Sequence, residues 1–442
     1  MADANAAPPD PAALMRSRRF VGLLALAGLV GVVASLAAWA FLELIHQIQV
    51  VVFYDDAPTW WPVPVLGVAG LLVALAIVRL PGTGGHVPAR GLNAGMTEPR
   101  ELPGVVFAAL ATIGLGLVLG PEAPLIALGG GLGLLGSRLI RGDAPPEVGQ
   151  ILGAAGTFAA VSLIFGSPIL AAIILIEATG LGGPKLPLVL VPGLMAAGIG
   201  SLVSIGMGAF TGLSTSAYAL GALALPAFPR PDVADVGWSI LLAVGVAVGA
   251  FFVLRAARGV ERVATPRPFL VLPAGGLVIG GLAVAFSQLT DKASHEVLFS
   301  GQDDLQGLIS SAGTWSLGTL ALLIALKGIA WAISLGSYRG GPTFPAMFLG
   351  AAAGLMAAHL PGYELTPAVA VGIGAGVASV LKLPLSAVML AVVLTAKSGA
   401  GAGPLIIIGV IAAYLTTLAL SAWREAPKQP LTPAPPAVTS IR

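Results

Sequence analysis

The chain has 442 residues, of which 57% are hydrophobic and only 10% charged, with a formal net charge of +2 and no cysteine. A soluble domain carries about 25% charged residues, so this composition points to a membrane protein; the missing cysteines exclude disulfides, thiolate metal sites and thiol nucleophiles. The charge balance, with no basic patch alternating with aromatic residues, argues against nucleic-acid binding.

The first twenty residues, MADANAAPPDPAALMRSRRF, are polar and Pro-rich and end in Arg16, Arg18 and Arg19. That basic cluster just before the first apolar run predicts a cytoplasmic N-terminus. Apolar stretches able to cross a hydrocarbon core of about 30 Å follow at Val21–Phe41, Trp61–Val78 and Leu102–Leu119. Three more stand at Trp238–Leu254, Leu270–Phe286 and Leu317–Leu335. Pro168–Ile176 and Pro345–Leu355 are too short to span and read as half-helices. Sixty glycines and thirty-five prolines sit inside these runs, the mark of packed and broken membrane helices. After Trp423 the tail is Pro-rich, and Arg424, Lys428 and Arg442 place it in the cytoplasm too, so the crossings should be even in number.

The chain repeats itself. Gly120-Pro-Glu-Ala-Pro and the five residues after it match Gly341-Pro-Thr-Phe-Pro as G-P-x-x-P-x-x-x-L-G, at an offset of 221 residues. The segment around Pro168 resembles that around Pro384, 216 residues on. The expected organisation is a tail (1–19), a first membrane repeat (20–210), a linker (211–234), a second repeat (235–423) and a Pro-rich tail (424–442). Paired, proline-interrupted segments at matching places in two halves point to a binding site at mid-membrane. Proline suits the first turn of a helix, whose N–H would be unpaired anyway. Two such helix starts facing one another would hold an anion on their free N–H groups and positive dipole ends.

Glu122, between Pro121 and Pro124, is then the principal candidate. An acid at membrane depth is functional by default, and the second repeat has neutral Thr343 in its place. The functional reading is a gate that competes, when ionised, with the anion; the plain reading is a helix-end partner. Glu177 reads either as a displaced proton acceptor, an inner relay, or as a solvated acid beside the Gly-rich segment GLGG, the second being favoured. Lys327, within an apolar run, would raise the potential of the anion path, pair with an acid or snorkel. Asp303 and Asp304 read as a solvated loop, and His86 as a loop histidine near the pore mouth. The four histidines show no metal-ligand spacing. No hydrolase elbow or zinc motif supports the competing class, an intramembrane enzyme.

These motifs resemble those of the CLC chloride channels and anion/proton exchangers. The family's G-[RK]-E-G-P is similar to Gly120–Pro124, and its G-G-x-F-x-P to Gly340–Pro345, over a resemblance running from Val21 to Trp423. The resemblance implies an all-α polytopic membrane fold of two inverted repeats whose half-helices meet at mid-membrane. It implies movement of chloride or a similar small anion, without a cofactor, in a homodimer with one pore per subunit, gated by Glu122. The membrane would be a bacterial inner or plasma membrane. The anion would rest near Gly120 and on backbone N–H groups of Glu122, Ala123, Thr343 and Phe344. The family's central serine falls on Gly85 if aligned on the proline of Gly82–Pro88, or on Thr83 if aligned on G-x-G. Its late tyrosine falls on Thr432, and the inner glutamate of many exchangers on Ala178. The last departure favours channel-like or weakly proton-coupled transport over obligatory Cl−/H+ antiport.

Overall fold

The computed structural model describes residues 15–91, 95–140, 145–183, 186–211 and 220–425. Thr432, the candidate inner ligand, lies outside the described residues, as do the first fourteen residues and 426–442. Among the described residues there are fifteen α-helices and no strand longer than a single bridge.

The first half contains α1 (Arg18–Val52), α2 (Pro62–Arg79), α3 (Leu102–Gly114), α4 (Glu122–Ile140), α5 (Pro146–Phe165), α6 (Pro168–Thr179) and α7 (Leu186–Thr211). The second contains α8 (Val233–Ala264), α9 (Pro268–Thr290), the short α10 (Asp304–Ser310), α11 (Leu317–Ser337), α12 (Thr343–Ala357), α13 (Leu365–Leu381), α14 (Pro384–Leu394) and α15 (Ala402–Glu425). Eight of these are long and apolar enough to cross a membrane. Tyr54, Trp60 and Trp61 cluster at the turn between α1 and α2, where amphipathic rings suit a membrane–water boundary.

Helix ends follow local chemistry. Proline opens α2, α5, α6, α9 and α14, where a missing N–H costs nothing. Ser167 accepts from Leu170 N at the start of α6, and Asp232 and Asp235 form a reciprocal capping box on α8. Gly166 and Gly180 end α5 and α6 in the left-handed conformation.

The duplication is visible in the packing. Helices α4 and α5 cross so closely that a Cβ on Gly129 or Gly156 would strike the other's backbone, and Gly133 lies as tightly against Leu152. In the second half α12 and α13 cross through Gly350 against Gly372 and Gly354 against Ala368. These pairs are related by the same offsets of 221 and 216 residues as the two sequence motifs. Small residues let membrane helices approach where there is no hydrophobic force to bring them together. Helix α13 is the innermost: every residue from Thr366 to Leu381 is buried. Its uniform apolarity lacks the edges that mark a surface helix, and it was not among the spans singled out above.

The expected span Leu102–Leu119 is corrected. Helix α3 stops at Gly114 after 13 residues, and the chain then turns through Leu115 and Gly116, which has a φ of 91°. The freed backbone groups are paired across the fold: Val118 N donates to Ser334 Oγ, and Phe299 N to Gly116 O. Irregular backbone at membrane depth survives only when buried in protein this way.

Candidate functional site

The starts of α4 and α12 meet head to head. Gly120 and Gly341 form an antiparallel bridge, with Gly120 N donating to Gly341 O at 2.8 Å and Gly341 N to Gly120 O at 2.6 Å. Glu122, in the first turn of α4, reaches across this bridge. Its Oε1 accepts from Thr343 N, the first residue of α12, at 2.5 Å. Its Oε2 is buried with no partner, and the residue is 2% exposed. A Cβ on Gly120 or Gly341 would overlap the carboxyl group, so these glycines make the room that Glu122 fills. Phe165, closing α5, stacks on Phe344 at 5.8 Å with the rings 12° apart, packing the bridge from the side.

An acidic side chain is therefore held where two helix N-termini converge. The amides of Ala123 and Phe344 have no backbone acceptor among the described residues, as expected in first helical turns. Thr343 and Phe344 are buried. Pro121 and Pro342 carry no N–H to contribute.

Beside the bridge lies a cavity of about 180 Å³ lined by Gly82, Gly85, His86, Glu101, Ala123 and Arg339, among others. Residues 82–86, on its lining, follow two membrane-length helices, α1 and α2, and so return to the side on which α1 begins. Gly85 faces this cavity; Thr83 is exposed, in the left-handed region at φ 51°, and offers its carbonyl oxygen to Arg339 Nε at 3.2 Å. Neither alternative for the central serine brings a side-chain hydroxyl to the cavity. His86 Nε2 lies 2.7 Å from Gly91 O.

Arg339 was missed at the sequence level. It immediately precedes Gly340–Gly341 and is 7% exposed. A lone arginine ending an apolar run was the available signal. Its backbone N donates to Thr112 Oγ1, which fastens the approach to α12 onto α3.

Glu177 is not a free, solvated acid. It reaches from the end of α6 to the start of α14, accepting from Leu385 N at 2.9 Å, Ser386 N at 2.7 Å and Ser386 Oγ at 2.6 Å. Helix α14 opens with unpaired N–H groups, and a carboxylate from the other half satisfies them. Lys327 is fully buried in α11, with Nζ donating to Glu296 O at 2.8 Å and Leu298 O at 2.7 Å beneath the ring of Phe348. It pins the loop after α9 and does not snorkel. In that loop burial and the charge of Asp304 raise the Glu296 carboxyl above its ordinary range. Asp303 is exposed, whereas Asp304 opens α10, 3.6 Å from His295. No group of three or more metal-ligating side chains occurs among the described residues.

Comparison with known proteins places this geometry in a family. Residues 89–417 match the family model described as voltage gated chloride channel. The "putative ion-transport protein YfeO" of Salmonella schwarzengrund (strain CVM19633) is 31% identical over 360 residues, covering 77% of this chain and 81% of the relative; its counterpart in Salmonella paratyphi A matches equally. The fold is similar to that of a slow cyanobacterial Cl−/H+ antiporter, with a TM-score of 0.73 at 18% identity, over 90% of this chain and 94% of that one. It is also similar to a CLC-type fluoride/proton antiporter, at a TM-score of 0.68 and 16% identity over 90% and 95% of the two chains. With two glycine-crossed repeats, proline-bounded helix starts meeting at a buried glutamate and a family match over most of its length, this integral membrane protein belongs to the voltage-gated chloride channel, or CLC, family.

Proposed function

We propose that the chain moves chloride or a similar small anion across the membrane, with Glu122 as the gate. One observation carries this reading: the Glu122 carboxylate occupies the junction of two helix starts, with one oxygen on Thr343 N–H and the other unpartnered. A place that holds a carboxylate on backbone amides also suits a free anion. Ionised, Glu122 fills it. Protonated, the side chain loses its advantage there and leaves, and the anion takes the amides. The protein works as a homodimer in a bacterial inner or plasma membrane, both termini cytoplasmic, since Arg16, Arg18 and Arg19 precede α1.

Transport is channel-like or weakly coupled to protons, as Ala178 offers no inner acid. A second reading, obligatory exchange of the anion for H+, gains support from Glu101, a carboxylate in the cavity beside the bridge. Purified protein in liposomes, with anion and proton flux recorded together, tests both. A chloride gradient should drive flux, and sodium or potassium should not permeate. Reversal potentials that follow a cation overturn the proposal. Uphill proton movement at a fixed stoichiometry decides for exchange.

A further inference from the structure

An anion path built on backbone amides has those of Ala123 and Phe344 to offer here, but its other positions contribute little. Pro121 and Pro342 have none, Thr343 N is engaged by Glu122, and the cavity's hydroxyl among the described residues is that of Thr97, with none from residues 83–85. We infer that Arg339 is the inner anion site: its guanidinium binds a monovalent anion in the cavity beside the bridge before the anion reaches Glu122. This rests on the transport reading above and names the residue that would select and load the transported ion.

The geometry of Arg339 supports this. Nε donates to Thr83 O at 3.2 Å, and Nη1 to Tyr338 O at 3.2 Å and Ser337 O at 3.5 Å. Nη2 donates to none of the described residues. Carbonyl oxygens orient a guanidinium but do not neutralise it. Among the described residues no carboxylate lies within 4.0 Å of Arg339: Glu261, on the neighbouring α8, is taken by Arg90 at 2.6 Å. Glu101 lines the same cavity without forming an ion pair with Arg339. A buried charge without a counter-ion is expensive, and arginine cannot escape by losing its proton. A mobile anion from solution supplies the missing counter-charge.

The shape of the site limits the class of ligand. With Nε and Nη1 committed, only Nη2 is free, so the two-pronged grip that arginine offers to carboxylates and phosphates is not available. A halide, or one oxygen of nitrate, fits a single donor. At about 30 Å³ per water, a cavity of about 180 Å³ also has room to keep part of the ion's hydration shell.

The test compares wild type with Arg339→Gln and Arg339→Lys in liposomes, reading the chloride concentration at half-maximal flux. The glutamine variant should raise it about tenfold, equivalent to about 1.4 kcal/mol, while the lysine variant stays within about threefold of wild type, since it keeps the charge. Both should retain the response to pH that comes from Glu122. A folded glutamine variant with unchanged half-saturation overturns the inference and leaves the transport reading standing. A second measurement needs no variant: wild-type crystals grown in sodium bromide should show an anomalous peak at hydrogen-bond distance from Nη2. Bromide at the bridge but none at Arg339 overturns the site. If the wild type carries no anion the transport reading falls, and bromide at Arg339 then supports the site as an anion site alone, while its absence ends both.

Discussion

Replacing Glu122 by glutamine tests the gate directly. The amide keeps the size, and its carbonyl oxygen can still accept from Thr343 N. Two terms weaken its hold. A charge-assisted hydrogen bond becomes a neutral one, a loss of about 1 kcal/mol. The amide NH2 then falls where Oε2 now sits without a partner, and a buried donor left unsatisfied costs about 1 kcal/mol more. Together, about 2 kcal/mol shifts the balance between the seated and displaced side chain about thirtyfold toward displaced. Chloride efflux from proteoliposomes, measured across a range of pH, reads this shift. Wild-type flux should rise as pH falls, because acid removes the charge that holds Glu122 in place. Glu122→Gln should flow faster at neutral pH, respond little to pH and move no protons. If the variant matches wild type in flux and in pH response, Glu122 is merely a helix-end partner and the gate does not exist.

Other substitutions probe the surroundings. Gly341→Ala puts a methyl group into the space of the Glu122 carboxyl; flux should lose its pH dependence while the protein stays folded, and a normal pH profile would show that this contact does not set the gate. Glu177→Ala strips the cap from α14 and should lower stability by about 1 kcal/mol, seen as an earlier thermal transition with any proton coupling unchanged; loss of coupling at unchanged stability would make Glu177 a relay instead. Gly350→Val forces a side chain onto the backbone of Gly372, whereas Gly245 has open space around it. The first should fail to give folded protein and Gly245→Val should not, as size-exclusion profiles in detergent will report.

The paired motifs at Gly120 and Gly341 were legible because proline and glycine act locally: they stop a helix or start one wherever they stand. Their recurrence at one offset disclosed the two halves, and an acid between two prolines in an apolar run disclosed Glu122. Those inferences need only neighbouring residues. Contacts across more than 200 positions were not legible. Nothing near Glu177 says that its carboxylate caps a helix beginning at Pro384, and nothing near Thr112 says that its hydroxyl accepts from Arg339. The break in α3 was misread for the same reason, since its freed backbone groups find partners on α11 and in the loop after α9. Composition, periodicity and helix punctuation alone thus determined the membrane class and the duplication, and singled out Glu122 as the buried acid. The tertiary structure decided which helix start each acid serves, and left Arg339 buried with no carboxylate within 4.0 Å among the described residues, because pairing and desolvation depend on what the other half of the chain brings into reach.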